Sequence, residues 1–166
     1  MSKFFTLIFF LLFSIFNSID AQESKEDRML NIKGSILNMG GKVKNTLIRI
    51  VHDDGVVDTV MSKKGRYNLR LEVNHKILIE FISEGNYTKR IAFNTQVPKS
   101  QKSIPFFDLT INLVETDLWK IKEEDEDVLD LPVAYITYNS KKKMWYDQNS
   151  KYSRVINKKI KSFGIY

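Results

Sequence analysis

Between Ile32 and Leu113 the chain is cut by turn-forming clusters about every 8–12 residues, and the segments between them are too short for helices. Each segment is rich in β-branched or aromatic residues, or alternates apolar with polar. Ile32–Leu37 is the first, closed by Asn38-Met39-Gly40-Gly41. Thr46–Val51 is the second, followed by His52-Asp53-Asp54-Gly55, whose Asp-Gly step tolerates positive φ and marks a hairpin. Val56–Ser62 is the third, turned by Lys63-Lys64-Gly65-Arg66. In the fourth, Tyr67, Leu69, Leu71 and Val73 alternate with Asn68, Arg70 and Glu72, so one face is buried and one wet. Ile77–Ile82 is apolar on both faces except at Glu80, which predicts a central strand. Glu84-Gly85-Asn86 leads into Tyr87–Phe93. A polar loop from Asn94 to Pro105 precedes Phe107, Leu109, Ile111 and Leu113, which alternate with Asp108, Thr110 and Asn112. Seven strands at this spacing, with no helical periodicity and no internal repeat, predict an all-β, seven-stranded Greek-key β-sandwich.

The character changes after Glu115. Glu115–Asp130 is strongly acidic and reads equally as a helical turn or a loop. Leu131–Tyr138 predicts an extra strand with Pro132 at its entry, where a missing N–H is tolerated. From Asp147 onward the period becomes that of a helix. Tyr152, Val155, Ile156, Ile160 and Phe163 share one face, with Asp147, Asn149 or Ser150 available as cap and Gly164 as stop. The expected C-terminal extension thus ends in a short, basic amphipathic α-helix.

The N-terminus carries a different signal. Lys3, the apolar run Phe4–Phe16 and a polar segment ending at Ala21 follow the order of a cleavable signal peptide. The run is about 13 residues, short of the ~20 that cross a bilayer core, so no transmembrane span is expected after cleavage. The expected organisation is 1–21 signal peptide, 22–30 flexible leader, 31–114 sandwich, and 115–166 acidic loop, extra strand and helix. Export is the expected route, to the periplasm or the cell surface. There is no cysteine, so the domain cannot lean on disulfides or thiolate metal ligands. The formal charge is +6, with acidic residues gathered at Glu123–Asp127 and basic ones at Lys141–Lys143 and Lys158–Lys161. Export argues against nucleic acid as partner. An envelope protein or a cell-surface glycan is the partner class that fits.

Several motifs in 32–93 carry a resemblance. They are Ile32-Lys33-Gly34 in the opening strand, Leu47-Ile48-Arg49-Ile50-Val51 in the second, Asp58-Thr59 ahead of a turn, Lys64-Gly65-Arg66-Tyr67, and Gly85-Asn86-Tyr87-Thr88-Lys89. Together they resemble the carboxypeptidase regulatory-like domain, a transthyretin-like β-sandwich of exported Bacteroidota proteins. Two positions depart from the family pattern: Ser62-Lys63 stands where Thr-Asp is usual, and Asn86 is inserted between Gly and Tyr. The resemblance implies a domain that accompanies other activities and does not itself catalyse.

Little in the sequence points to chemistry. His52 and His75 fall in separate turns, with nothing to bring them together. The acidic run lacks the ligand spacing and glycine of a calcium loop. No phosphate loop, nucleophile elbow or zinc-protease motif occurs, and no cofactor is implied. The candidate interaction surface is Trp119, Trp145, Tyr146, Lys141, Lys142 and Lys143. Its aromatics either present a binding face or pack back onto the sandwich. The expected function is an exported, non-catalytic interaction or scaffold module of the cell envelope. A carbohydrate-binding accessory protein and a small hydrolase with a carboxylate site are the alternatives.

Overall fold

The computed structural model describes residues 28–118 and 123–162, with the side chains of 118 and 123–126 left out. The signal-peptide segment, most of the leader, Trp119, Phe163 and Gly164 lie outside the described residues. Eleven strand segments and one α-helix follow in order: β1 Met29–Asn38, β2 Gly41–Lys42, β3 Leu47–His52, β4 Val57–Met61, β5 Arg66–Glu72, β6 Lys76–Ile82, β7 Lys89–Asn94, β8 Phe107–Asp108, β9 Ile111–Asn112, β10 Tyr135–Asn139, β11 Met144–Asp147 and α1 Ser150–Ser162. They form a sandwich of two mixed sheets. In one, β1 pairs antiparallel with β2 and β5 and parallel with β8 and β9. The other has the order β11-β10-β7-β6-β3-β4, with only the β10–β7 pair parallel.

Alternation places the core. In β5 every second residue is buried (Tyr67, Leu69, Leu71), and the residues between them face water. Ile48 and Ile50 of β3, and Ile77, Ile79 and Phe81 of β6, meet them from the other sheet. Each such side chain contributes about 1.5–3 kcal/mol when buried. Tyr67 and Phe81 stand edge to face across the sandwich, ring centroids 5.3 Å apart.

The hairpins follow the turn chemistry. Lys63 and Arg66 exchange both backbone hydrogen bonds at 3.0 Å, with Lys64 and Gly65 at φ 54° and 68° between them. This two-residue turn needs positive φ at both central positions, and its right-handed twist matches the strands.

The single strand expected over Phe107–Leu113 is instead two short pieces, β8 and β9, interrupted at Leu109–Thr110. The physical reason lies in β1. The Leu109 carbonyl turns into the space beside Gly34, where the Tyr67 hydroxyl donates to it at 2.5 Å. Burial raises the Tyr67 pKa above its ordinary value, with a smaller push from Asp108, so the phenol remains the proton donor.

The segment after Glu115 is built into the six-stranded sheet. Thr116–Leu118 and Glu123–Asp130 are 3₁₀ turns. β10 then adds to β7, and β11, which the sequence pattern did not suggest, adds to β10. Helix α1 begins where expected, capped by the Asn149 side chain accepting from Tyr152 N–H at 3.1 Å. Its buried residues are Ser153 and Ile156, with Tyr152 and Ile160 partly covered, whereas Val155 faces solvent. The apolar stripe is therefore narrower than the spacing predicted.

Gly34→Ala tests the close approach at Leu109. A methyl there runs into a backbone carbonyl, which cannot rotate aside as a side chain would. A loss of at least about 2 kcal/mol is expected in chemical denaturation. A neutral result would show that β8 and β9 can move away at no cost.

Candidate interaction surface

The residues singled out in the sequence separate in the structure. Trp145 of β11 is buried, its ring 5.3 Å from that of Tyr138 and its indole N–H donated to the Pro105 carbonyl at 3.0 Å. It belongs to the core and not to a binding face, because register pairs it with the inward-facing Tyr138. Tyr146, its neighbour, points the other way and is exposed. Lys141, Lys142 and Lys143 are exposed on the β10–β11 turn, where the Asn139 carboxamide accepts from the N–H groups of Lys141 and Lys142 at 3.0 Å. Trp119 is outside the described residues. The tail aromatics thus pack back at Trp145 and at Tyr152, whose ring lies 5.3 Å from that of Tyr135.

A different surface emerges from the register of the six-stranded sheet. On its outer face Val57, Val51, Leu78, Ala92 and Tyr135 fall opposite one another, one from each of β4, β3, β6, β7 and β10. None of the five is buried, and Val57 and Tyr135 are 49% and 39% exposed. This row runs beside a groove of about 440 Å³ that His52, Asp53, Lys76 and Gln148 also border. Met61, Leu47 and Ile82 make a second, shorter apolar row.

Between the two rows lies a charged one: Thr59, Arg49, Glu80 and Arg90. Glu80 is only 3% exposed. Its carboxylate accepts from Arg49 Nε on one oxygen and from Arg90 Nε at 2.8 Å on the other. Arg90 in turn reaches the Leu129 carbonyl at 2.9 Å and the Asp130 carboxylate at 3.0 Å, which ties the acidic segment to the sheet. Burial by itself pushes the Glu80 pKa up. The hydrogen bonds and charges of Arg49 and Arg90 outweigh it and hold the carboxyl below its ordinary value.

The groove ends at a polar cluster the sequence did not reveal. The His52 and His75 rings meet edge to face, centroids 6.1 Å apart. Sequence reading kept them apart because they sit on different connections, yet the β3–β4 and β5–β6 turns converge at one end of the sandwich. Thr95 holds the second turn there. Its hydroxyl accepts from His75 N–H at 3.0 Å and lies 2.9 Å from the Glu72 carbonyl. Each imidazole faces a carboxylate: His52 Nε2 is 3.2 Å from Asp58, and His75 Nδ1 is 3.2 Å from Asp53. Asp53 is held below its ordinary pKa, first by the backbone N–H of Lys76 and then by His75. Asp54, Asp58 and Glu72 border a cleft of about 310 Å³ beside the histidines. Among the described residues no three His, Asp or Glu side chains are disposed to hold a metal ion.

No protein-family model matches the sequence. No curated protein sequence matches it either. Part of the structure is similar to 3-chlorocatechol 1,2-dioxygenase from Rhodococcus opacus 1CP, with 11% identity, 53% of this chain and 60% of that one covered, and a TM-score of 0.40. It is similar to S.CueP at 13% identity, with 53% and 64% covered and a TM-score of 0.36. It is also similar to a C-terminal fragment of the pilus adhesin SpaC from Lactobacillus rhamnosus GG, at 7% identity, with 57% and 48% covered and a TM-score of 0.34. The match spans less than two thirds of each of these chains. Likeness of this degree says nothing of function, and the sandwich stands on its own topology.

Glu80→Gln gives a test of the charged row. It leaves Arg90 without its buried counter-charge, and a loss of about 2–4 kcal/mol is expected at pH 7. Because the folded-state pKa is depressed, the stabilisation is full above the unfolded carboxyl value near ~4.3. It disappears as pH falls through the lower folded value. Denaturation curves of wild type and variant are therefore expected to converge as pH falls below about 4. A gap that stays constant with pH would mean that packing, not charge, is what Glu80 supplies.

Proposed function

We propose that this chain is an exported, non-catalytic interaction module of the cell envelope, and that its sandwich belongs to the carboxypeptidase regulatory-like family. Its docking surface is the outer face of the six-stranded sheet, and its partner is an envelope protein that lays an apolar segment along the groove. The observation that carries this reading is the unburied row Val57–Val51–Leu78–Ala92–Tyr135. Five strands contribute one apolar residue each to a single line, and a contiguous exposed apolar strip is the usual mark of an interaction site. Arg49 beside it, 46% exposed, and Asp53, Lys76 and Gln148 at the groove supply a polar rim.

The competing readings draw less support. The sugar-stacking reading rests on Trp119 and Trp145; Trp145 is in the core and Trp119 lies outside the described residues. A hydrolase needs a carboxyl that stays protonated to act as acid. Asp53 and Glu80 shift the other way, towards the anion, which is the direction of structural ion pairs. Export rests on the sequence of residues 1–21.

Two measurements check the proposal. First, N-terminal sequencing of the protein recovered from its host's envelope fraction is expected to start at Gln22. Recovery from the cytoplasm with the N-terminal segment intact would remove the export half. Second, cross-linking in the native envelope is expected to capture a protein partner with the wild-type chain. Ala92→Arg, which puts a charge in the middle of the apolar row, is expected to reduce that capture at least about tenfold, the effect of about 1.4 kcal/mol. Unchanged capture, or binding only of a soluble glycan, would overturn the docking surface proposed.

A further inference from the structure

Among the described residues, the six-stranded sheet ends on one side at β4, which pairs with β3 alone. The flanking backbone bonds, His52 N–H to the Val56 carbonyl and Ser62 N–H to the Thr46 carbonyl, both 2.9 Å, fix the phase of that pairing. In an antiparallel ladder, bonded and non-bonded positions alternate. Residues 56, 58, 60 and 62 therefore bond to β3, and the N–H and C=O groups of Val57, Thr59 and Met61 point to the open side.

Open edges are normally blunted by charge, proline or a cover. The exposed positions of β5 follow that rule with Arg66, Asn68, Arg70 and Glu72. The edge at β11 is only four residues long and is flanked by Lys141–Lys143 and Asp147, although Met144 and Tyr146 are exposed on it. β4 does not follow it: Val56, Val57 and Met61 are 52%, 49% and 53% exposed. Within it the one charge is Asp58, on the opposite face from Val57, Thr59 and Met61 and 3.2 Å from His52. Charge is otherwise gathered at its two ends, with opposite signs. Asp53 and Asp54 precede it, and Lys63 and Lys64 follow it.

We infer that β4 is a self-pairing edge, through which two copies of this chain join their six-stranded sheets about a twofold axis at Thr59. An antiparallel second copy with Thr59 opposite Thr59 places Val57 opposite Met61 of the other copy. All three outward-facing residues then become hydrogen-bonded positions, and none is left over. The same alignment sets the acidic end of each strand against the basic end of the other. A parallel alignment would set like charges together. Side chains agree with the backbone. On the outer face the row from Tyr135 to Val57 runs on into Met61, Leu47 and Ile82 of the second copy. A strand from another protein could satisfy the backbone. Only a second copy is specified by register, charge and apolar row at once, which is the self-complementarity of an isologous interface.

Sedimentation of the purified protein is expected to show a monomer–dimer equilibrium with a dissociation constant between about 1 and 100 µM, suited to a small interface. Changing Val57 and Met61 both to Lys is expected to give a monomer, because each new Lys faces another across the axis. Changing both to Glu is expected to do the same. An equimolar mixture of the two variants is expected to restore a one-to-one dimer. Both positions are about half-exposed, so melting temperatures report whether each variant remains folded. Ala92→Arg, three strands from the edge, is expected to leave the dimer intact, which separates this interface from the groove. A wild-type monomer at several hundred micromolar, a double-Lys variant that still dimerises, or variants that stay apart on mixing would each overturn the inference. A monomer whose β4 variants lose a cross-linked partner would assign the edge to a foreign strand instead.

Discussion

The carboxylate of Glu80 is the interaction on which the arrangement of this molecule turns. It sits on the central strand β6, almost wholly buried, and is neutralised by Arg49 from β3 and Arg90 from β7. A buried charge without such partners would be strongly unfavourable, so the three strands must keep the register that brings them together. Slipping any of them by one residue would send the partner arginine to the core face. The same Arg90 holds the Leu129 carbonyl and Asp130. One ion cluster therefore sets the sheet's alignment and anchors the segment that leads into β10.

That charged row also explains the pattern of the outer face. Charged and apolar rows alternate across it because register is shared by neighbouring strands. The buried cluster fills one row, and the apolar rows on either side receive only partial cover. Helix α1 reaches them only at Tyr135, through the Tyr152 ring. Its buried Ile156 and the Asn157 carboxamide, which donates to the Val133 carbonyl at 3.3 Å, hold it near the entry to β10. The groove is thus a consequence of where the tail is tied down.

Much of this was legible in the sequence, and the failures have a common cause. Alternation in β5 was complete, and the structure keeps it residue by residue. The turn at Lys63–Arg66 and the cap at Asn149 were readable because they depend on local chemistry. Gly34 was noticed as part of a motif, but its role was not, because the Leu109 carbonyl that excludes a side chain comes from 75 positions further on. The break between β8 and β9 was missed for the same reason. β11 was missed because Met144–Asp147 is short and opens next to three lysines. Trp145 stays open between a binding face and the core until Tyr138 is known to face inward beside it. The apolar row was invisible as a row, since each strand shows only one of its members. Its one trace was Ile77–Ile82, apolar on both faces in a chain too short of helices to cover both. The meeting of His52 and His75 left no trace, because it depends on how two loops converge.

The two edges of the six-stranded sheet are treated differently, and the difference is physical rather than accidental. Without residues 131–147, β7 would be an edge strand, with Ala92 and Asn94 open to solvent. The chain returns to cover it in the harder way, by a parallel pairing that cannot be made with a tight turn and needs a long connection. The 3₁₀ segment clamped by Arg90 is part of that connection, and Trp145 and Tyr138 seal the new strands to the core. Nothing comparable is built for β4 among the described residues. Its neighbours are its own turns, with Asp54 accepting from Val56 N–H at 3.0 Å to shape the first of them. A fold that extends one side of the sheet by two strands sealed with a buried tryptophan, and moves that edge out to the short β11, leaves β4 as the longer apolar strand standing directly at an edge.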